Sequence, residues 1–150
     1  MIQKEAVPST DDMRELVNEA ARENHEFVGR LMREWRSGEN RFEAEGEAFF
    51  VARAGEQVVG ICGLNRDPYV DDVGTGRLRR LYVLPSRRRT GVARKLVKAA
   101  LAHAAECFDT IRVRAGTPQA DGFYESLDFT PTSEDSVTHR LTLRERTGNG

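Results

Sequence analysis

The sequence predicts a mixed α/β fold whose sheet is mostly antiparallel but contains one parallel βαβ crossover. Three observations carry this. Residues 91–106 place Val92, Ala93, Leu96, Val97, Ala100, Leu101 and Ala104 on one helical face, between alternating strand-like segments at 77–84 and 110–115. A strand, a helix and a strand in that order form a right-handed parallel unit. Residues 48–53 and 57–64 flank a tight turn at Ala54-Gly55-Glu56, the pattern of an antiparallel hairpin. Two amphipathic helices precede that hairpin. At 150 residues the chain can bury a core as one domain without disulfides or metal. Residues 1–143 are read as that single domain and 144–150 as a flexible polar tail.

Taken in order, residues 2–7 form a first strand. Ser9 or Thr10 then caps a helix that sets Met13, Leu16, Val17 and Ala20 on one face. A second helix carries Phe27, Val28, Leu31, Met32 and Trp35 and stops at Gly38. After the hairpin, the acidic and glycine-rich residues 65–76 read as a loop leading into the strand at 77–84. Beyond the amphipathic helix, Ile111 and Val113 share one face of the next strand. A short helix at 117–127 and a final strand at 137–143 complete the order β-α-α-β-β-β-α-β-α-β, with one more short strand near Phe129.

The 23 basic and 24 acidic residues nearly cancel, so overall charge selects no partner. Their distribution is more informative. Between Val73 and Ala105 every Asp, Glu, Lys and Arg position is basic: Arg77, Arg79, Arg80, Arg87, Arg88, Arg89, Arg94, Lys95 and Lys98. This block includes a strand end at Pro85, a basic loop and Gly91 at the start of a helix. That geometry points several backbone N–H groups at one spot, at the positive end of a helix dipole and beside guanidinium groups. A polyanion, a pyrophosphate above all, fits there. Cys62 and Cys107 lie in apolar patterns without Cys-x-x-Cys spacing and are read as reduced core residues. His25, His103 and His139 have no metal-ligand spacing; His103 is read as a surface residue and His139 as structural. No apolar run reaches membrane-spanning length, so a soluble, cytoplasmic chain without a membrane or metal partner is expected. Nucleic-acid binding through the arginines is disfavoured, because Tyr82 is the sole aromatic residue among them and the basic helix has an Ala/Val/Leu core face.

The spacing Arg88-x-x-Gly91-x-Ala93 after a strand resembles the acyl-CoA loop of the GNAT acetyltransferases, Gln/Arg-x-x-Gly-x-Gly/Ala. The hairpin at 50–60 is similar to the second and third strands of that family. Leu81-Tyr82-Val83 before Pro85 resembles the end of its fourth strand, where a bulge splays the sheet. Ala120 with Phe123-Tyr124-Glu125-Ser126-Leu127-Asp128-Phe129 resembles its Ala-x-x-x-Tyr-x-x-Leu-Gly-Phe segment. The resemblance spans nearly the whole chain. It implies a GNAT (acyl-CoA N-acyltransferase) fold with splayed central strands, and acetyl-CoA as acyl donor to a primary amine of a small molecule or peptide. It further implies that Leu81, Tyr82 and Val83 hold pantetheine by edge addition. The loop Arg88, Arg89, Thr90, Gly91, Val92 and Ala93 would hold the pyrophosphate, with Arg87, Arg88, Arg89 and Arg94 as candidates for the 3′-phosphate. Thr117 would cap the tyrosine helix or reach pantetheine. Val83 N–H would be the oxyanion donor, and Tyr124 would protonate the leaving thiolate. Read alone, Tyr124 is equally a core aromatic.

Three positions depart from the pattern. Arg77 stands where many members carry a Glu that acts as base through water, leaving Asp71, Asp72 or Glu43 as substitutes. Thr117 replaces an Asn, and Asp128 replaces a Gly but tolerates a left-handed backbone. The missing acid keeps a second class in view, a non-catalytic GNAT-like acyl-CoA sensor or assembly module. The acceptor pocket falls to the first two helices, residues 65–76 and the stretch after Phe129. There Phe27 and Trp35 could line it, and Asp67, Asp71 and Asp72 point to a cationic acceptor. A homodimer is compatible with the family.

Overall fold

A computed structural model of the chain describes residues 1–144. Its elements are β1 (Ile2–Lys4), α1 (Thr10–Arg22), α2 (Phe27–Ser37), β2 (Ala48–Ala54), β3 (Gln57–Arg66), β4 (Thr75–Val83), α3 (Val92–Ala104), β5 (Thr110–Val113), α4 (Pro118–Glu125), β6 (Thr130–Pro131) and β7 (His139–Thr142). A single 3-10 turn, Pro85–Arg87, follows β4. The seven strands form one sheet in the order β1-β2-β3-β4-β5-β7-β6. All neighbouring pairs are antiparallel except β4 and β5. The element order read from the sequence is therefore the observed one, with β6 as the extra strand near Phe129.

Local chemistry explains the boundaries. The Ser9 side chain accepts from Asp12 N–H at 3.2 Å and caps α1, whose first turn carries Asp11 and Asp12 against the helix dipole. β1 stops at Lys4, three residues short of the expected Val7, because the chain then turns to deliver Pro8 and the Ser9 cap. β3 and β4 are each longer than expected. Asn65 pairs with Arg77 and Arg66 with Gly76, so the predicted loop contracts to the segment between them. Thr117 caps α4 by accepting from Ala120 N–H at 3.1 Å, and Asp128 adopts φ 73, as its tolerance for the left-handed region allows. Arg144 donates to Asp109 at 2.7 Å; the rest of the expected tail lies outside the described residues.

One face of the sheet is covered by α3 and the other by α1 and α2. Leu16, Leu31, Val51, Ile61, Leu64, Leu96 and Ile111 are buried between these layers. On the α2 side, the Phe42 ring lies directly on Gly63, where a Cβ would sit 2.7 Å from Phe42 Cζ. Glycine there lets the 39–47 connection pack onto β3. Among the described residues no helix is long and apolar enough to cross a membrane.

The feature that shapes the site is the fate of β4. It pairs with β5 only at Thr75↔Thr110, Gly76↔Ile111 and Arg77↔Arg112. From Leu78 to Val83 it keeps β3 as a partner but leaves β5, opening a gap between two parallel strands. A bulge lies in that stretch. Gly63 pairs with Arg79 and Ile61 with Tyr82, so Arg80 and Leu81 together oppose Cys62, and Arg80 has φ 61. An extra residue on one strand raises local twist and turns the strand away from its neighbour.

Candidate active site

The gap presents backbone first. Leu84 N–H donates to Val59 O at 2.9 Å, and antiparallel pairs alternate, so Val83 turns its N–H and C=O away from β3 and into the gap. The Val83 carbonyl accepts from Arg88 Nε at 3.1 Å, which agrees with that orientation. Leu81 is half-buried beside it.

The chain leaves Val83 through the Pro85 turn and enters α3 by a loop with two left-handed residues, Arg89 at φ 65 and Gly91 at φ 86. Lys95 N–H reaches back to Gly91 O at 3.0 Å. The amides of Val92, Ala93 and Arg94 precede that bond and have no helical acceptor. They form a concave set of donors at the positive end of α3. The side chains of Arg87, Arg89 and Thr90 are exposed around it, and Thr90 Oγ1 donates to Arg87 O. Arg94 Nη2 donates to Ser126 Oγ at 2.9 Å, linking this helix to the end of α4.

Arg88 does not join them. Its guanidinium makes a bidentate pair with Glu23 at 2.6 and 2.7 Å, at the end of α1, and lies over the Tyr82 ring at 5.4 Å. Tyr82 Oη also donates to Glu23 at 2.6 Å. These hydrogen bonds, Arg88's first, hold the Glu23 carboxyl at about 2 against the opposing effect of burial. The Arg88 side chain is thereby committed to fastening the loop to α1, which corrects its place among the expected phosphate side chains. Sequence reasoning missed Glu23, which stands 65 positions from Arg88 and has no motif around it.

α4 sets the Tyr124 ring 6.5 Å from that of His139, the β7 residue paired with Val113 at the end of β5. Tyr124 is 5% exposed and edge-packed on Phe123 and Phe129 at 5.1 and 5.4 Å. Burial, with a smaller contribution from the nearby Cys62 thiol, pushes its phenol well above the ordinary range. The Cys62 thiol is itself pushed up to about 12 by burial and stays neutral. His139 is buried and bonds to Thr138 and Glu125, each at 2.8 Å, a structural role as expected. His103 is half-buried rather than a surface residue, with Nε2 3.2 Å from Gly46 O and its ring edge-on to Phe50.

On the α2 side of β4 the charges differ from the sequence expectation. Asp67 is 2% exposed and pairs with Arg112 at 2.8 Å and Arg77 at 3.8 Å. It therefore neutralises buried arginines and offers nothing to a cationic acceptor. Arg77 also donates to Ser136 O at 2.8 Å and stacks on Tyr69 at 4.7 Å. Asp72 closes the turn before β4 by accepting from Gly74 N–H at 2.9 Å, at the opposite end of the strand from the gap. Asp71 and Glu43 are exposed. Phe27 joins His25 and Tyr82 in an aromatic cluster, and Trp35 lies under Arg41. Among the described residues no group of three or more His, Cys, Asp and Glu could hold a metal ion.

A gap between parallel strands that ends at an amide-lined helix start can take an extended ligand with an anionic end. The family model described as "Acetyltransferase (GNAT) domain" matches residues 13–143. The chain belongs to the GNAT acetyltransferase family. A protein from an Exiguobacterium species, assigned to the acetyltransferases, is 29% identical, with TM-score 0.80 over 95% of this chain and 93% of that one. A GNAT family acetyltransferase from Brucella melitensis, solved with acetyl-CoA, is 16% identical, with TM-score 0.68 over 98% and 91%. An Escherichia coli GNAT family N-acetyltransferase, solved with CoA, is 19% identical, with TM-score 0.67 over 95% and 81%. No curated protein matches the chain.

Proposed function

We propose that this chain transfers the acetyl group of acetyl-CoA to a primary amine by direct attack. The observation that carries the reading is the gap itself, with Val83 N–H turned into it and the free amides of the α3 start following the Pro85 turn at its end. Two relatives solved with CoA or acetyl-CoA share this fold.

The residues fit such a group. Leu81, Tyr82 and Val83 offer a strand edge on which the pantetheine amides can pair. The amides from Arg89, Thr90 and Gly91 to Val92, Ala93 and Arg94 fit a pyrophosphate. Arg87, Arg89 and Arg94 surround it, and forked guanidinium groups suit a phosphate better than point charges do. Thr117 is engaged as the α4 cap, a supporting role. Acetyl-CoA supplies an activated thioester carbonyl.

Val83 N–H holds the negative charge that builds on the carbonyl oxygen as nitrogen attacks; one such donor is typically worth about 3 kcal/mol. Tyr124, kept protonated by burial, gives its proton to the sulfur as the C–S bond breaks. It recovers one from the nitrogen that has become an amide. No carboxylate in the gap is assigned as base. Glu23 is held as an anion by Arg88 and Tyr82, and Glu34 is paired with Arg80 at 3.0 Å. That same observation favours the second reading, a non-catalytic acyl-CoA-binding module.

The test is a thermal melt with and without acetyl-CoA, in the wild type and in Gly91→Glu. Ligand at 100 times its Kd contributes about 2.7 kcal/mol, or roughly 5–10 °C in a chain of this size. A shift in the wild type that Gly91→Glu lacks supports the cofactor site. No shift at millimolar acetyl-CoA overturns the reading. A shift without CoA release towards any amine selects the binding module.

A further inference from the structure

The α2 side of β4 carries more positive charge than the chain balances. Arg77 and Arg79 share that side by strand alternation, and the bulge adds Arg80 beside them. Arg77 shares Asp67 with Arg112, and Arg80 has Glu34. Among the described residues Arg79 has no carboxylate within 4 Å; its hydrogen bond goes to Asn65 Oδ1 at 3.5 Å, an oxygen that Asn40 already uses at 3.0 Å. Burial in the main, but also the Arg79 charge, lowers the pKa values of both Arg77 and Arg80. Arg80 adds a second signal. Its side chain is 8% exposed, yet its Nε–H is buried with no hydrogen-bond partner. A buried donor left unmade is costly and marks a place where a partner belongs.

We propose that the acceptor amine carries a carboxylate, and that Arg79 together with the Nε–H of Arg80 holds that carboxylate on the α2 side of β4. The inference rests on the transferase reading above and names its substrate class. Of the three β4 arginines on this side, Arg79 is the one with no carboxylate partner among the described residues, and its planar guanidinium matches the two oxygens of a carboxylate. The position also suits the chemistry. Arg79 lies four residues before Val83, about 13 Å of strand, on the same β4 segment that borders the gap. An amine at the gap and a carboxylate at Arg79 thus belong to one molecule of modest length.

The experiment follows CoA thiol release with ω-amino acids from 6-aminohexanoate to 12-aminododecanoate, short peptides with a free C-terminal carboxylate, and the amine matching each without its carboxylate. Wild type, Arg79→Gln and Arg79→Lys are compared, and each is first melted with acetyl-CoA. The expected result is a kcat/KM at least tenfold higher for carboxylate acceptors. In Arg79→Gln, KM for them rises tenfold or more and the preference over the matching amines collapses, while Arg79→Lys restores part of it. The acetyl-CoA shift, which Arg79 does not touch, persists in all three. Equal use of the matching amines by the wild type, or an unchanged KM in Arg79→Gln, would overturn the proposal. So would an acetyl-CoA shift with no turnover of any carboxylate acceptor. Loss of the acetyl-CoA shift in the wild type would instead sink the transferase reading beneath it.

Discussion

Tyr124 and Glu23 show how burial and partners assign roles to single side chains. Tyr124 is nearly buried, and no described residue accepts from its hydroxyl, so the proton it carries is available to a leaving group. Tyr124→Phe keeps the ring packing on Phe123 and Phe129 and removes only that proton. We expect kcat to fall by about 10²–10⁴-fold with the acetyl-CoA melting shift intact; a fall of less than tenfold would reduce Tyr124 to a packing residue. Glu23 works through charge. Its carboxyl, held at about 2 instead of near 4.5, contributes stability that is present above about pH 4.5 and lost as pH falls towards 2. Glu23→Gln should therefore melt below the wild type at pH 7, and the difference should shrink between pH 4.5 and 2. A difference that is constant across that range would show that the Arg88 pair does not carry it. The size is modest, because both partners are partly open to solvent.

At the scale of elements, β4 is the strand on which the site depends. Its bulge comes from the mismatch of Arg80 and Leu81 against Cys62, and its separation from β5 begins directly after Arg77. The strand was legible from alternation, and Pro85 and Gly91 marked its end and the start of α3. A bulge near the end of the strand was expected from the family resemblance alone; that it falls on Arg80 was not legible, since an arginine at positive φ has no local signature. It is decided by the registers that β3 fixes on either side. Gly63 shows a similar dependence: in sequence it is one glycine in an apolar strand, and in the fold it is the seat of the Phe42 ring. Gly63→Ala should cost about 1–3 kcal/mol in denaturant unfolding, because the ring is confined by Phe49 at 5.2 Å and cannot withdraw. An unchanged midpoint would mean that the 39–47 connection yields instead.

Across the molecule, the base of the gap is closed by an ion network that joins three distant segments. Asp67 follows β3, Arg77 lies in β4 and Arg112 in β5, and the Arg112 guanidinium also donates to Asp135 O at 2.6 Å. This network ties the strands together where their parallel pairing ends. Removing its anion leaves the buried Arg77 guanidinium with no carboxylate among the described residues and the buried Arg112 guanidinium with Glu134 alone. Asp67→Ala should destabilise the protein by about 3–5 kcal/mol, measured by urea unfolding. A loss below 1 kcal/mol would show that water or Glu134, 3.3 Å from Arg112 Nε, takes over the charge.

Periodicity, capping residues and glycine positions determined the element order, the crossover, the turn and loop before α3 and the helix that carries Tyr124, because each is written in contiguous residues. Thr117 as a cap and Asp128 at positive φ were readable for the same reason. Only the tertiary structure decided which charges are spent. Arg88 is bound to Glu23, Asp67 to Arg112 and Arg80 to Glu34, while Arg79 has no carboxylate partner among the described residues. Those pairings join residues far apart in the chain, and whether a charge is free depends on what the folded sheet sets opposite it.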